Sequence, residues 1–187
     1  MNPTLKYALT YGLLSGLVTC SILIAGIVFG DRLSFLHSVW AGYLVMLIVL
    51  TFIFVGVKRY RDVERGGIIK FLPAFGMGLA IALVAALAYV ILWEIYEAAT
   101  NYRFMDQYIA GIIRARRAAG VTGPALAREM AELETLRVNY ANPLYRIRET
   151  FMEIFPVGLG VALVSAVILR RPWFSFRQVA KPFRRAA

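Results

Sequence analysis

Five charged residues beside two apolar segments have the spacing of a polar cluster. Glu94 and Glu97 are three residues apart, so they share one face of a helix. Arg146, Glu149 and Glu153 recur at spacings of three and four and share another face. Carboxylates crowded in a low-dielectric setting must pair with cations, bind a metal cation or retain protons. These residues therefore form a candidate site for a proton, a cation or a set of ion pairs.

Two interpretations of this cluster remain open. In the functional one, a proton or cation binds there and the last helix moves about Pro156. In the structural one, the same side chains form an ion-paired lattice that joins the ends of two helices to an extramembrane segment. Long charged side chains at a membrane boundary reach water easily, which favours the structural interpretation.

Other chemistries lack the residues that they need. The chain has one histidine and one cysteine, which argues against a metal site built from imidazole and thiolate. The pair Gly66-Gly67 lacks the context of a phosphate-binding loop. Serines in the apolar segments have no histidine nearby to act as a base. The sequence therefore predicts no metal, no cofactor and no catalytic residue.

The elements that position the cluster are membrane spans. Hydrophobic residues make up 60% of the 187 residues and charged residues 17%, whereas a soluble domain averages about 45–50% and about 25%. A hydrocarbon core of about 30 Å requires a helix of about 20 apolar residues. Segments at residues 7–30, 39–57, 72–93 and 151–169 meet this requirement. The predicted fold is an all-α integral membrane protein with four transmembrane helices in a single membrane domain, residues 1–187.

Residues 102–140, between the third and fourth spans, are predicted to form an extramembrane amphipathic helical hairpin. Apolar residues recur at helical spacing on both sides of a turn at residues 120–123. The first arm is basic and the second acidic. The arms can therefore pair with each other or with a second copy of the chain.

Cations predict the orientation of the spans. Residues 58–70, behind the second span, contain five cations and two acidic residues. Short loops rich in Lys and Arg stay in the cytoplasm, so both chain termini are expected there. The tail, residues 170–187, mixes cations with aromatic residues, which favours a leaflet that contains anionic lipid. The cations assigned to lipid headgroups and orientation are Lys58, Arg59, Arg61, Arg170 and Arg171.

Partners follow from the same cations and from small residues within the spans. Cations at the ends of apolar segments explain the net charge of +10. The lipid bilayer is therefore the expected partner, and we expect no binding to nucleic acid. Small residues at helical spacing predict close helix packing, either between spans of one chain or along the seam of a homo-oligomer. These residues are Gly12, Gly16, Gly26, Gly30 and Gly78.

Four blocks of the sequence resemble a known family. The blocks are GYLVMLIVLTFIFVGVKRYRD, GGIIKF, YVILWEIYE and NPLYRIRETFMEIFPVGL. In this order and spacing they are similar to the uncharacterised bacterial membrane family called domain of unknown function 4199, over residues 5–171. The resemblance implies four spans with a charged helical segment before the last one, in a bacterial inner membrane. It implies no activity.

These observations lead to three functional hypotheses. The first is a small four-span inner-membrane protein with an interaction, assembly or regulatory role, which binds a second copy or another membrane protein and is not an enzyme. The alternative is a small transporter coupled to protons or cations through Glu94 and Glu153. The third is an enzyme that acts on a lipid through carboxylates and arginines.

Overall fold

The computed structural model describes residues 2–29 and 39–171 of the chain. These residues form six α-helices and no strand, which confirms the predicted all-α fold. The helices are α1 (Pro3–Phe29), α2 (Val39–Glu64), α3 (Phe71–Ala99), α4 (Phe104–Ala118), α5 (Gly123–Ala141) and α6 (Pro143–Leu169).

Four of the helices in the described ranges are long and apolar enough to cross a membrane. The qualifying segments are Pro3–Val28, Tyr43–Glu64, Phe71–Ala99 and Pro143–Leu169. Large apolar side chains such as Leu72, Ile48 and Ile91 are exposed on them, as expected where lipid rather than water surrounds a helix. The prediction of a multi-pass membrane architecture is confirmed by length and composition.

Two of these helices extend beyond the spans that the sequence predicts. Helix α3 continues past residue 93 to Ala99. Helix α6 begins at Pro143, where the pair Asn142-Pro143 predicts a helix start, and so precedes the predicted span at residue 151. Apolar patterning detects only the part of a helix that matches lipid, whereas the backbone hydrogen bonds continue into the polar part. All five residues of the predicted cluster are therefore helical.

The chain divides into two compact units. Unit 1 comprises Met1–Tyr89 and Ile154–Ala187, and unit 2 comprises Val90–Glu153. Helices α3 and α6 contribute residues to both units, whereas the α4–α5 hairpin belongs to unit 2.

Glycines allow the helices of unit 1 to approach closely. A Cβ atom on Gly16 would lie 2.6 Å from the carbonyl oxygen of Ala85, so α1 and α3 are in backbone contact there. Similarly, a Cβ on Gly78 of α3 would lie 2.9 Å from the Cβ of Ala162 on α6. Gly12 also faces α3, so these glycines serve contacts within the chain. Gly26 is half-buried in α1, and Gly30 lies outside the described residues.

The position of Arg61 differs from the expectation of a lipid-facing cation. Its side chain is fully buried in unit 1, and its Nε donates a hydrogen bond to Asp62 at 2.7 Å. Its Nη1 donates at 3.4 Å to the carbonyl of Leu169, at the C-terminus of α6, where the helix dipole is negative. Arg61 therefore acts as a cap of α6.

The other cations assigned to headgroups lie closer to the protein surface. Lys58 is half-buried, whereas Arg59, Arg170 and Arg171 are exposed. Most of the basic aromatic tail, residues 172–187, lies outside the described residues.

The hairpin of unit 2 pairs its own arms. Arg116 of α4 forms an ion pair with Glu129 of α5 at 2.7 Å. Arg137 of α5 forms one with Asp106 of α4, also at 2.7 Å. Gly120 adopts a φ of +79° in the turn between the arms, a conformation that favours glycine. Of the two pairings that the sequence leaves open, the chain itself satisfies the intramolecular one.

Candidate functional site

Arg146 and Glu94 form the centre of the candidate site, in unit 2. The Nε of Arg146 donates to one carboxylate oxygen of Glu94 at 2.7 Å, and its Nη2 donates to the other at 2.6 Å. This is the two-point geometry in which a planar guanidinium binds a carboxylate most strongly. Arg146 is 3% exposed. The positive charge of Arg146 is therefore neutralised by Glu94, whose side chain is 25% exposed, within a part-buried pair.

Arg146 also contacts both ends of the hairpin. Its Nη1 donates at 3.2 Å to the backbone carbonyl of Tyr140, near the C-terminus of α5. Its guanidinium lies 4.9 Å from the centre of the Tyr102 ring, just before α4, and 5.7 Å from that of Tyr140. Both distances suit a cation–π contact. One side chain of α6 thus connects α3 to the beginning and the end of the hairpin.

Glu97 is the group in this site whose hydrogen bonding is incomplete. It follows Glu94 by one helical turn and is 1% exposed. Among the described residues, neither of its carboxyl oxygens has a hydrogen bond of normal geometry, and the hydroxyl of Tyr140 is a donor close to them. Because Glu94 already neutralises Arg146, an ionised Glu97 would leave a net negative charge buried in the site. Such a charge is costly, so the site favours a protonated Glu97.

Tyr140 and Trp93 lie beside Glu97. The indole Nε1 of Trp93 donates to the hydroxyl oxygen of Tyr140 at 2.8 Å. Because indole is only a donor, the proton of the Tyr140 hydroxyl must point to another group. Burial raises the pKa of Tyr140. Tyr140 therefore stays protonated at neutral pH, as a donor close to Glu97.

The turn after α3 has an unusual backbone. Asn101 and Tyr102 are not glycines, yet their φ angles are 54° and 56°. Each left-handed residue of this kind costs about 1–2 kcal/mol. The backbone N–H of Tyr102 donates to the carbonyl of Glu97 at 2.8 Å. This hydrogen bond and the ring contact with Arg146 hold the turn in place.

A metal ion is not needed to explain this arrangement. Across residues 2–29 and 39–171, no group of three or more His, Cys, Asp or Glu side chains is placed to hold one. A carboxyl group next to an arginine can bind and release a proton.

A family model described as a protein of unknown function (DUF4199) matches residues 10–171. The chain belongs to the DUF4199 family. The resemblance inferred from the four sequence blocks is therefore confirmed, and the match includes every residue of the site. No curated protein and no solved structure matches the chain.

In this DUF4199 protein, the five predicted cluster residues do not all meet. Glu94, Glu97 and Arg146 come together as described. Glu149 is exposed and forms an ion pair with Arg148 at 2.6 Å. Glu153 is exposed on α6.

Aromatic residues complete the site, and sequence reasoning did not assign them to it. The residues are Trp93, Tyr102 and Tyr140. Tyr140 has a weak sequence signal, since it continues the apolar face of the second arm. Trp93 looks like any aromatic residue at a membrane boundary. Their common site depends on contacts between residues far apart in the chain.

Proposed function

We propose that this DUF4199 protein is a pH-responsive membrane protein that binds and releases a proton at Glu97. The observation that supports this most directly is that Glu97 is buried beside a cation that is already paired with Glu94. Glu97 takes the role that the transporter hypothesis assigned to Glu94 and Glu153. Glu94 is less suited to it because its charge is held by Arg146.

A proton fits this site better than a larger cation. Metal ions such as Ca²⁺ require six or more oxygen ligands, and Mg²⁺ usually retains several waters. Glu97 is 1% exposed, which leaves no room around the carboxylate for a hydrated ion. A proton needs no additional ligand and removes the charge that burial disfavours.

Infrared spectroscopy of the full chain in lipid nanodiscs tests this proposal. A protonated carboxyl group has a carbonyl stretching band that a carboxylate lacks. We expect this band in the wild type at neutral pH and its loss on alkaline titration. Glu97→Gln should lack it, whereas Glu132→Gln, which changes an exposed carboxylate of α5, should retain it. A wild type without the band, or a band that persists in Glu97→Gln, would refute the proposal.

An interaction role is the second candidate function, and the hairpin favours it. In the described chain, α5 has no buried residue, and Val138 on it is 64% exposed. Tyr108 and Met130 are further exposed apolar side chains of the hairpin. Exposed apolar groups outside the spans are typical of an interaction surface, and a second copy of the chain is the simplest partner. Native mass spectrometry should then show an oligomer that Val138→Glu dissociates; a wild-type monomer would contradict this role.

We further propose that the protein lies in a bacterial inner membrane with both termini in the cytoplasm. In unit 1, the Tyr7 ring near the start of α1 is 5.6 Å from the Tyr60 ring near the end of α2. The contact between Arg61 and Leu169 likewise joins the ends of α2 and α6. These contacts support termini on one side, and the cations of residues 58–70 favour the cytoplasm and anionic lipid.

Cysteine labelling tests this orientation. In a Cys20→Ser background, Gln107→Cys on α4 should react with a non-permeant maleimide applied to intact spheroplasts. Ile68→Cys, in the exposed part of the loop between α2 and α3, should react only after lysis. The opposite pattern would reverse the orientation.

A further inference from the structure

We infer that Arg146 couples the proton on Glu97 to the position of the α4–α5 hairpin, so that loss of the proton loosens the hairpin. The inference rests on the proposed proton site and adds what the proton controls. It concerns side chains of unit 2 alone.

The first step is the double attachment of the hairpin to one guanidinium. Tyr102, which precedes α4, stacks on Arg146, and the carbonyl of Tyr140, near the end of α5, accepts a hydrogen bond from it. A shift of Arg146 therefore changes the contacts at both ends of the hairpin. The ion pairs between the arms lie farther along α4 and α5 and do not involve Arg146.

The second step is competition between two carboxyl groups for Arg146. A guanidinium has five N–H donors. Arg146 donates two hydrogen bonds to Glu94 and one to the Tyr140 carbonyl, so it has further N–H groups that can bind an ionised Glu97. While Glu97 is protonated, Arg146 forms its ion pair with Glu94 alone. When Glu97 loses its proton, two carboxylates one helical turn apart face one cation. Arg146 must then be shared between them, because an unpaired buried charge is the costlier alternative.

The other ionisable groups that face Glu97 do not relieve this competition. Besides Arg146 from α6, they are Glu94 and Tyr96 from α3 and Tyr140 from α5. The tyrosines are neutral at neutral pH and Glu94 is a further acid. Arg146 is accordingly the cation that responds when Glu97 becomes charged.

The third step is the strained turn between α3 and α4. Asn101 and Tyr102 stay left-handed while the Tyr102 ring is held against Arg146 and its N–H is bonded to the Glu97 carbonyl. Strained backbone of this kind persists only while its surroundings enforce it. A shift of Arg146 towards Glu97 weakens the ring contact and lets the turn relax, which frees the beginning of α4.

Hydrogen–deuterium exchange of the full chain in nanodiscs tests this coupling. At alkaline pH, we expect the amides of residues 104–141 to exchange roughly ten- to a hundredfold faster in the wild type than in Glu97→Gln, which mimics the protonated state. At acidic pH the two proteins should exchange alike. Comparison at equal pH removes the intrinsic pH dependence of exchange, and Glu132→Gln should behave as the wild type.

The results separate failure of the coupling from failure of the proton site. If the infrared band of Glu97 titrates but exchange in the hairpin is equal in the wild type and Glu97→Gln at every pH, the coupling is refuted while the proton site stands. If the infrared band is absent from the wild type, the proton site itself is refuted. Tyr102→Leu adds a further check, because it should speed hairpin exchange at acidic pH without removing the infrared band. Unchanged exchange in this variant would contradict the role of the ring contact.

Discussion

In the double variant Glu94→Gln/Glu97→Gln, both carboxyl groups beside Arg146 are replaced by neutral amides. Each single variant leaves one acid within reach of the guanidinium. In Glu94→Gln, Glu97 can release its proton and take over the ion pair. In Glu97→Gln, the pair with Glu94 remains intact. The destabilisation of the double variant should therefore exceed the sum of the two singles.

The structure provides the magnitudes. Hydrogen bonds to charged groups contribute about 1.5–3 kcal/mol each, and Glu94 accepts them from Arg146 at 2.7 and 2.6 Å. Because Glu97 replaces part of this pairing, Glu94→Gln should lower the free energy of unfolding by about 1–2 kcal/mol. Glu97→Gln should change it by less than about 1 kcal/mol. The double variant leaves Arg146, which is 3% exposed, without a carboxylate, which should cost about 3–5 kcal/mol.

Reversible unfolding in mixed micelles, followed by circular dichroism as the fraction of denaturing detergent rises, measures these free energies. The four proteins form a double-mutant cycle, and its coupling energy should be about 2 kcal/mol. Glu149→Gln is the matched control, since it removes an exposed carboxylate of α6 whose ion pair is at the surface; it should have little effect. If the single effects add to within about 0.5 kcal/mol, the two acids do not compete for Arg146.

Two further predictions concern helix packing and Tyr140. Gly16→Ala should destabilise the protein by about 1–3 kcal/mol, because the added Cβ meets the Ala85 carbonyl at 2.6 Å. Gly76→Ala, with no described atom near its Cβ, should not; equal melting temperatures would disprove the α1–α3 contact. Burial raises the pKa of Tyr140 above 10.0. The protonated hydroxyl of Tyr140 therefore contributes to the stability of the fold below pH 10.0, and this contribution is lost as the pH rises through the pKa of the folded state. The phenolate absorbance difference between wild type and Tyr140→Phe should therefore appear above pH 10.0; an earlier difference would contradict the burial of this hydroxyl.

The spans and the same-face spacing of Glu94 and Glu97 could be predicted from the sequence because they depend on local patterns. A run of apolar residues must bury its backbone groups in helical hydrogen bonds wherever lipid surrounds it. Residues three apart on a helix share a face regardless of the rest of the fold. The DUF4199 blocks, likewise, are stretches of contiguous sequence.

The choice between the two carboxyl groups could not be predicted in this way. Arg146 lies 52 residues from Glu94 along the chain, and helical spacing does not determine which of two acids one turn apart it binds. The left-handed turn at Asn101 and Tyr102 contains no glycine, so the sequence does not indicate its backbone conformation. Arg61 has the sequence context of a lipid-facing cation and is nevertheless fully buried against the end of α6. Local periodicity thus determined which segments are helices, whereas contacts between distant segments decided which charges are neutralised and left Glu97 buried beside a cation that another residue already holds.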